Sequence, residues 1–256
     1  MEEKDLDIFI LGYKAFEPKV SNPTYKIVDG GQEEFETQLQ KFIDTDGDSI
    51  SSLNGFYSEL TYIYWIWKNY PLKKYVGFCH YRRYFTFFDE IPNMDEIFQE
   101  YDIILPRTYK TTRSMYNQYK SCHNVNDLVT CMGIVKVLYP DYMDDVHTCV
   151  YDDKAFYTNN CFIMKREDFL KYCEFIFTVL QNYLQFKKLN NMEDIQKMVE
   201  ENSNDYLKKR SPNSEVWYQC RIGGFLAERL LTWWVKHNFD PQRIKIIPIK
   251  VTEKKY

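Results

Sequence analysis

Short apolar runs alternate with amphipathic segments along this chain, and the alternation predicts an α/β fold. Residues 7–11 and 75–79 are almost continuous apolar runs, as expected for strands that are covered on both faces of a sheet. Residues 56–69 and 167–186 carry apolar side chains three or four positions apart, which predicts helices. The other predicted strands are residues 25–28, 101–105, 243–251 and part of 155–164, and the other predicted helices are residues 94–100, 124–138, 142–151 and part of 217–237. This order predicts a mostly parallel central sheet with helices on its faces.

Several stretches between these elements lack a periodic pattern. Residues 44–55 and 81–92 are predicted to be loops. Residues 107–119 are polar, basic and aromatic, and are predicted to form a mobile loop near the functional site. Since no internal repeat and no long linker interrupts the sequence, we expect one domain over residues 1–256.

Composition excludes some classes of protein. The net charge of −4 argues against a general nucleic-acid-binding protein, which needs a broad basic face. The seven cysteines show no CxxC spacing, which favours reduced, buried thiols in a cytoplasmic protein. No signal peptide is recognisable and no apolar run approaches the roughly 18 residues of a membrane span, so we expect any membrane contact to be peripheral. The aromatic content of 18% fits either a wet carbohydrate cleft or a tyrosine-rich core.

The most informative short segment is VGFCHYRRYF, in which His80, Arg82 and Arg83 directly follow the predicted strand at 75–79. Ligands of open α/β sheets bind beyond the carboxyl ends of the strands. Two arginines at that position can neutralise a diphosphate through forked hydrogen bonds and stabilise it as a leaving group. The alternative is a pair of surface salt bridges, which would contribute little. The position favours a phosphate-binding role.

An acidic loop precedes the first long helix. Asp44, Asp46 and Asp48 have the spacing with which a calcium loop begins, but Ser49 and Gly55 stand where that loop requires Gly and Glu. We therefore expect turn and capping residues here, not a metal site.

Four further sets of polar residues leave alternatives open. Asn54 and Glu59 stand at a predicted helix start, where they either cap the helix or hold a ligand. Glu228 follows a Gly-Gly pair on the last helix and is either a general base or the partner of Arg221 or Arg229 in an ion pair. Two other sets are His123 with Asp127, which fit a structural pair better than a metal site, and Asn159 with Asn160, which either bind sugar hydroxyls or form a turn.

Five segments resemble, in order, a bacterial family of capsular and exopolysaccharide glycosyltransferases that is marked by a GDNIS-like loop and an HYRRYF turn. They are GDSISSLNGFYSELTYIYWIWKN (47–69), YVGFCHYRRYF (75–85), DIILP (102–106), NNCFIMKREDFLKYCEFIF (159–177) and RIGGFLAERLLTWWV (221–235). Members of that family often carry a His-Lys pair after the first strand, whereas this chain has Gly12, Tyr13 and Lys14. Lys14 keeps the positive charge, and the missing histidine leaves the donor contacts there open.

The resemblance implies a GT-A-like nucleotide-diphospho-sugar transferase fold, with a donor-binding half at 1–106 and an acceptor-binding and catalytic half at 107–256. It implies inverting transfer of a hexose from a UDP-sugar, with galactose in its pyranose or furanose form favoured. The implied acceptor is a lipid-linked polysaccharide repeat unit or another glycan at the inner membrane face.

The resemblance also implies roles for single residues. Glu228 and His80 are expected to be catalytic. The expected donor-binding residues are Arg82, Arg83, Lys14, Asn54 and Glu59, and the expected acceptor- or sugar-binding residues are Asn159, Asn160 and Arg229. The usual GT-A fold holds a metal ion with a DxD motif after a strand, and residues 80–83 stand in that place here. We therefore expect no cofactor and a metal-independent reaction, with Mn²⁺ or Mg²⁺ as the alternative.

Two functions of other classes remain open at this point. One is a non-catalytic protein that binds carbohydrate or nucleotide. The other is a phosphosugar or nucleotidyl transferase, which would use the same arginines on a phosphate group.

Overall fold

A computed structural model of the protein describes residues 5–12, 16–28, 47–207 and 215–252. Strands and helices alternate through much of this part of the chain. The strands are β1 (Leu6–Leu11), β2 (Tyr25–Val28), β3 (Tyr75–His80), β4 (Arg83–Phe85), β5 (Ile103–Leu105), β6 (Tyr109–Lys110), β7 (Ala155–Phe156), β8 (Phe162–Lys165), β9 (Ile244–Ile246) and β10 (Ile249–Val251). The helices are α1 (Asn54–Tyr57), α2 (Leu60–Asn69), α3 (Met94–Glu100), α4 (Met115–Cys122), α5 (Val125–Leu138), α6 (Met143–His147), α7 (Arg166–Lys187), α8 (Met192–Glu201), α9 (Ser203–Tyr206), α10 (Val216–Gln219) and α11 (Ile222–Asn238).

Within the described residues, one eight-stranded sheet forms the centre of the protein. β3 pairs with β1 along its whole length, and β1 pairs with β2. The other edge of β3 is shared between β8 and the short β4, and the sheet continues from β8 through β5 to β9. β4 and β8 run against the direction of all the other strands, including β10, which pairs with β4. The predicted mostly parallel sheet flanked by helices is therefore confirmed.

Alternation of side chains along the strands divides the core between the two faces of the sheet. Phe9 and Phe78 face a large helical layer, which includes much of α2, α5, α7 and α11. Ile8 and Ile10 face a smaller layer that includes α3. Since both faces are covered, the central strands read as the nearly continuous apolar runs seen in the sequence.

The topology brings the ends of three strands together at one edge of the sheet, where a ligand can bind. The carboxyl ends of β1 and β3 lie side by side, because Leu11 pairs with His80. β8 runs antiparallel to β3, so its amino end lies at the same edge, with Phe162 opposite Phe78. Residues that follow β3 and residues that precede β8 therefore meet at this edge, which is where open α/β sheets bind ligands.

Most predicted elements occur with small changes at their ends, and β2 and α3 have the predicted bounds. Three predictions were wrong. The predicted loop at 81–92 contains β4, which pairs with His80 and with β10. The predicted mobile loop at 107–119 contains β6 and most of α4. The predicted helix at 56–69 is divided into α1 and α2, because Ser58 adopts φ 53° and ψ −129°.

The seven cysteines are all unpaired, and six of them are buried, as predicted for small apolar side chains. None of the helices in the described ranges is both long and apolar enough to cross a membrane.

Candidate active site

The centre of the site is Glu59, which lies between α1 and α2 at the carboxyl end of β3. The backbone of Ser58 has a positive φ of 53° with ψ −129°, a conformation that L residues rarely adopt. This turn interrupts the helix and places Glu59 toward the sheet edge. Neighbouring Ser58 accepts a hydrogen bond from Arg221 Nε through its hydroxyl oxygen, at 2.7 Å.

Three polar side chains lie close to Glu59. Its Oε1 accepts a hydrogen bond from Asn160 Nδ2 at 3.2 Å and lies 3.9 Å from His80 Nε2. Its Oε2 lies 3.8 Å from Arg221 Nη2. Burial alone would raise the pKa of Glu59, but His80, the residue's own backbone amide and the charge of Arg221 outweigh burial and lower this pKa to about 2. Glu59 therefore stays ionised over the whole physiological range.

Asn159 and Asn160 form a strained turn immediately before β8. Both have positive φ values, 65° and 45°. Asn160 is fully buried, and its Oδ1 has no hydrogen-bond partner among the described residues. The same is true of the buried Nε2 of His80. Because buried polar atoms are normally paired, these two atoms are the expected contacts of a bound hydroxyl or water.

A second carboxylate, Glu228, lies on α11 at the other side of this turn. Its Oε1 accepts a hydrogen bond from the backbone N–H of Asn159 at 2.7 Å, and its Oε2 accepts one from Arg229 Nη1 at 2.9 Å. Burial raises the pKa of Glu228 above its ordinary value, although Arg229 and the Asn159 amide oppose the shift. Of the two alternatives raised by the sequence, the ion pair with Arg229 is observed, and the role of general base stays a prediction that the raised pKa favours.

Arg229 is placed differently from its predicted role. It is only 1% exposed, and its guanidinium lies against the rings of Tyr119 and Phe156. Besides Glu228, it donates to Gln118 Oε1 at 2.6 Å and to the Phe225 carbonyl. The enclosed guanidinium contacts Glu228 and is not placed for the direct sugar contact that was predicted.

The two arginines of the HYRRYF segment are not equivalent. Arg82 lies over the ring of Tyr81, with 4.8 Å between its Cζ and the ring centroid. The charge of Arg83 reaches the buried thiol of Cys161, which follows Asn160. Burial raises the pKa of Cys161 to about 12, with Arg83 opposing the shift and Glu59 adding to it. Arg83 lies opposite His80 across the β3–β4 pair, so it stands at the same edge of the sheet as His80 and Glu59.

Five residues that the sequence analysis considered lie outside this cluster or outside the described residues. Asn54 is exposed, does not cap the helix with its side chain, and accepts a hydrogen bond from Thr61 Oγ1 at 2.9 Å. Lys14 falls outside the described residues, as do Asp44 and Asp46 of the acidic loop. Asp48 is a turn residue that accepts a hydrogen bond from the Tyr64 hydroxyl.

His123 and Asp127 do not form a pair on one helix face. His123 follows α4, where its Nδ1 lies 3.3 Å from Gln219 Oε1, while Asp127 lies in the first turn of α5. Burial, followed by the charge of Arg229, lowers the pKa of His123 to about 3, so this ring is neutral. The histidine contacts Gln219 and does not form the structural pair with Asp127 that the sequence favoured.

Two glycines bring α11 close to the turn that carries Glu59. A Cβ at Gly223 would lie 2.6 Å from Cε1 of the buried Phe56, and a Cβ at Gly224 would lie 3.2 Å from the Ser58 hydroxyl. Without side chains at these positions, α11 packs directly against α1 and the Ser58 turn. This contact places Arg221 and Glu228 beside the sheet edge.

The donor set of the site does not fit a divalent metal ion. Such ions bind several carboxylate or carbonyl oxygens, or a cluster with histidine or cysteine. The two carboxylates here are each paired with an arginine. Across the described ranges, no three His, Cys, Asp or Glu side chains are grouped so that they could hold a metal.

Sequence reasoning missed two contributors. Arg221 was considered only as a partner of Glu228, but it holds Glu59 and Ser58. Gln118, which orients Arg229, lies in a segment predicted to be a loop. The sequence feature that could have revealed this residue is Ser114, a capping serine that begins a short amphipathic helix ending at Cys122.

Comparison with known proteins gives a family and a fold. A family model described as "Domain of unknown function (DUF4422)" matches residues 7–207, which is more than half of the chain. The comparison with curated proteins found no match. Among solved structures, the apo structure of the bifunctional glycosyltransferase WbbM is similar, with a TM-score of 0.71 and 22% identity. The similarity covers 98% of this chain and 46% of the solved chain, so this chain spans less than half of that protein. The likeness confirms the predicted GT-A-like fold.

Proposed function

This chain belongs to the DUF4422 family, and we propose that it is a glycosyltransferase, which moves a sugar from a nucleotide-sugar donor to a glycan acceptor. The GT-A-like fold supports the proposal, since the solved structure that shares it is that of a bifunctional glycosyltransferase. Fold alone does not define a reaction, so the proposal rests on the chemistry of the site.

One observation carries the proposal: two carboxylates in the same buried cluster have pKa values displaced in opposite directions. Neighbouring His80 and Arg221 keep Glu59 ionised against the effect of burial, whereas burial makes Glu228 more basic. Separation of two pKa values in one cluster is the usual sign that the groups have different acid–base roles. Glu228 is the group suited to accept a proton near neutral pH.

The donor we propose is a UDP-hexose, and the sequence resemblance favours galactose in its pyranose or furanose form. Arg83, which pairs with His80 at the end of β3, would supply positive charge for the diphosphate, with Arg82 beside it on Tyr81. His80 Nε2 and Asn160 Oδ1 are buried polar atoms that would contact hydroxyls of the sugar.

The reaction we propose is a direct displacement. Glu228 accepts the proton of the acceptor hydroxyl, and the hydroxyl oxygen forms a bond to the anomeric carbon. The bond from that carbon to the diphosphate oxygen breaks, and its electron pair leaves with UDP, whose charge Arg83 stabilises. A single displacement inverts the anomeric configuration.

The acceptor and the site of action rest on the sequence resemblance. We propose a lipid-linked polysaccharide repeat unit of a bacterial capsule or exopolysaccharide, reached by a cytoplasmic protein at the inner membrane face. Thermal-shift screening of nucleotide sugars, followed by identification of the products, would define the donor.

Replacement of Glu228 tests the role of the base. We expect Glu228→Gln to lower turnover by about 100-fold or more, because general-base catalysis typically contributes that much, while the donor affinity stays the same. Glu174→Gln, an exposed change on α7, is the matched control and should leave turnover unchanged. Turnover of Glu228→Gln within a few-fold of the original protein would show that Glu228 is not the base.

The products of the same assay separate the alternative functions. Release of a nucleoside diphosphate with a new glycosidic bond supports the proposal. Release of pyrophosphate or a nucleoside monophosphate would identify a nucleotidyl or phosphosugar transferase. Donor binding without transfer or hydrolysis would indicate a binding protein.

A further inference from the structure

A cavity of about 630 Å³ lies beside α4, separate from the side chains of the candidate active site. Three of its lining residues are cations, Arg113, Lys120 and Lys154, and none of the described residues that line it is acidic. No salt bridge joins these cations to a carboxylate in the described part of the chain. The three cations therefore form a local concentration of positive charge in a protein with a net charge of −4.

The rest of the lining consists of uncharged hydrogen-bonding groups. Hydroxyls come from Thr112, Ser114, Ser121 and Tyr151, and an amide comes from Asn117. The cations and hydroxyls together form the donor set that binds phosphate oxygens, and a volume of about 630 Å³ is larger than one phosphate needs. The chemistry indicates a ligand that carries a diphosphate.

The cavity is framed by ordered contacts. The backbone N–H of Thr111 donates to the Lys154 carbonyl at 2.8 Å, and the rings of Tyr116 and Tyr151 pack 5.6 Å apart. These contacts tie the segment before α4 to the segment that carries Lys154. The lining is therefore built by two parts of the chain held against each other.

α4 also connects the cavity to the candidate base. Gln118 of this helix accepts the hydrogen bond from Arg229, which holds Glu228. A second cavity, of about 470 Å³, lies at the opposite edge of the sheet, where β3 begins and β8 ends. Its lining includes Tyr75 and Lys165. The basic cavity is the one on the side of the sheet where transfer would occur.

We infer that the cavity beside α4 binds the diphosphate of a phosphorylated acceptor. The identification of this ligand as the acceptor rests on the proposed function, in which Arg83 already serves the diphosphate of the donor. The cations of the cavity would then bind a different ligand from Arg83, namely the diphosphate that links an acceptor glycan to its carrier. The cavity would hold the acceptor so that its free hydroxyl reaches Glu228.

Binding of inorganic pyrophosphate tests the cavity itself. The measurement is calorimetric titration in saturating UDP, so that the donor site is filled. We expect Arg113→Ala, Lys120→Ala and Lys154→Ala each to weaken pyrophosphate binding by about tenfold, the typical loss of one charge-assisted contact. Lys136→Ala is the matched control, because Lys136 is also an exposed lysine in the last turn of a helix, and it should bind as the original protein does.

A transfer assay tests the identity of the ligand. With a diphosphate-linked acceptor, we expect Lys120→Ala to raise the acceptor KM about tenfold with kcat and the donor KM unchanged. With the same glycan as a simple glycoside, Lys120→Ala and Lys136→Ala should have equal KM values.

Three results would overturn the inference. The first is pyrophosphate binding that is absent or equal in all variants. The second is a loss of UDP affinity in the cavity variants, which would make the cavity part of the donor site. The third is weaker binding of the variants to phosphatidylglycerol vesicles with unchanged pyrophosphate binding. That result would show that the cations bind a membrane surface and not a diphosphate. If the protein transfers no sugar, the proposed function fails, and the pyrophosphate titration still decides whether the cavity binds a diphosphate.

Discussion

Asp127 is a buried carboxylate that contacts two tyrosines. Its Oδ1 accepts hydrogen bonds from the hydroxyls of Tyr183 at 2.6 Å and Tyr206 at 3.0 Å, so it joins α5, α7 and α9. Burial raises the pKa of Asp127 to about 6, although the two hydroxyls oppose the shift. It is a structural counterpart to Glu228, since burial dominates the pKa of both carboxylates.

The raised pKa of Asp127 makes stability depend on pH in a defined direction. The folded state holds this proton up to about pH 6, whereas the unfolded state releases it near the ordinary value of 3.8. The free energy of unfolding should therefore fall as pH rises from about 4 to 6, by on the order of 3 kcal/mol from this group. We expect Asp127→Asn, which keeps a hydrogen-bond acceptor for the tyrosines, to remove that part of the pH dependence. Urea denaturation of both proteins at several pH values gives the difference, and parallel curves would contradict the prediction.

At the scale of elements, the site depends on how closely α11 approaches α1. Gly223 lies against Phe56, which is fully buried, and a Cβ at Gly223 would lie 2.6 Å from its ring and 3.0 Å from its carbonyl oxygen. The contact is needed because Arg221 and Glu228 both lie on or next to α11, whereas Glu59 lies beyond α1. A change in the distance between these helices would separate the two carboxylates of the site.

A methyl group at Gly223 tests this dependence. We expect Gly223→Ala to destabilise the protein by about 1–3 kcal/mol, because overpacking a core contact forces neighbouring groups to shift, and to lower turnover as well. Gly133→Ala is the matched control on α5, where a Cβ would meet nothing within 4 Å. That change should be neutral or stabilising by up to about 1 kcal/mol, since alanine is the better helix former. Thermal denaturation and transfer rates measure both effects, and equal behaviour of the two variants would refute the role of the close contact.

The success of sequence-based prediction differed between elements for physical reasons. β3 and α3 were predictable because a covered strand and an amphipathic helix each leave a clear apolar pattern. β4 was not, because its three residues pair only through tertiary contact with β3 and β10. The break at Ser58 was not predictable either, since nothing in the sequence around it marks a residue with positive φ.

Among the site residues too, those in clear motifs were predictable and those placed by packing were not. His80 and Glu59 were recognised from their motifs, and the structure places them 3.9 Å apart. The burial of Arg229 and the contact of Arg221 with Glu59 depend on how α11 packs, which a pattern along the chain does not contain.

At the scale of the whole molecule, the sheet edge gathers residues from both halves of the chain. Glu59, His80 and Arg83 come from residues 1–106, and Asn160 and Glu228 come from residues 107–256. The charges at this edge are organised as pairs between carboxylates and basic groups, with Arg83 in addition. In the proposed reaction, such an arrangement would supply positive charge to the leaving diphosphate from the protein itself.

This arrangement leads to a prediction about metal dependence. If arginine supplies the charge that a divalent ion would otherwise supply, sugar transfer should continue at its full rate after dialysis against EDTA. Arg83→Ala should then lower turnover by about 100-fold, because one preorganised group at a developing charge typically contributes that much. Arg166→Ala, at the opposite edge of the sheet, is the control and should have no effect. Transfer rates with EDTA, and with EDTA followed by excess Mn²⁺, measure the dependence. Activity that EDTA abolishes and Mn²⁺ restores would show that a metal ion, and not Arg83, stabilises the leaving group.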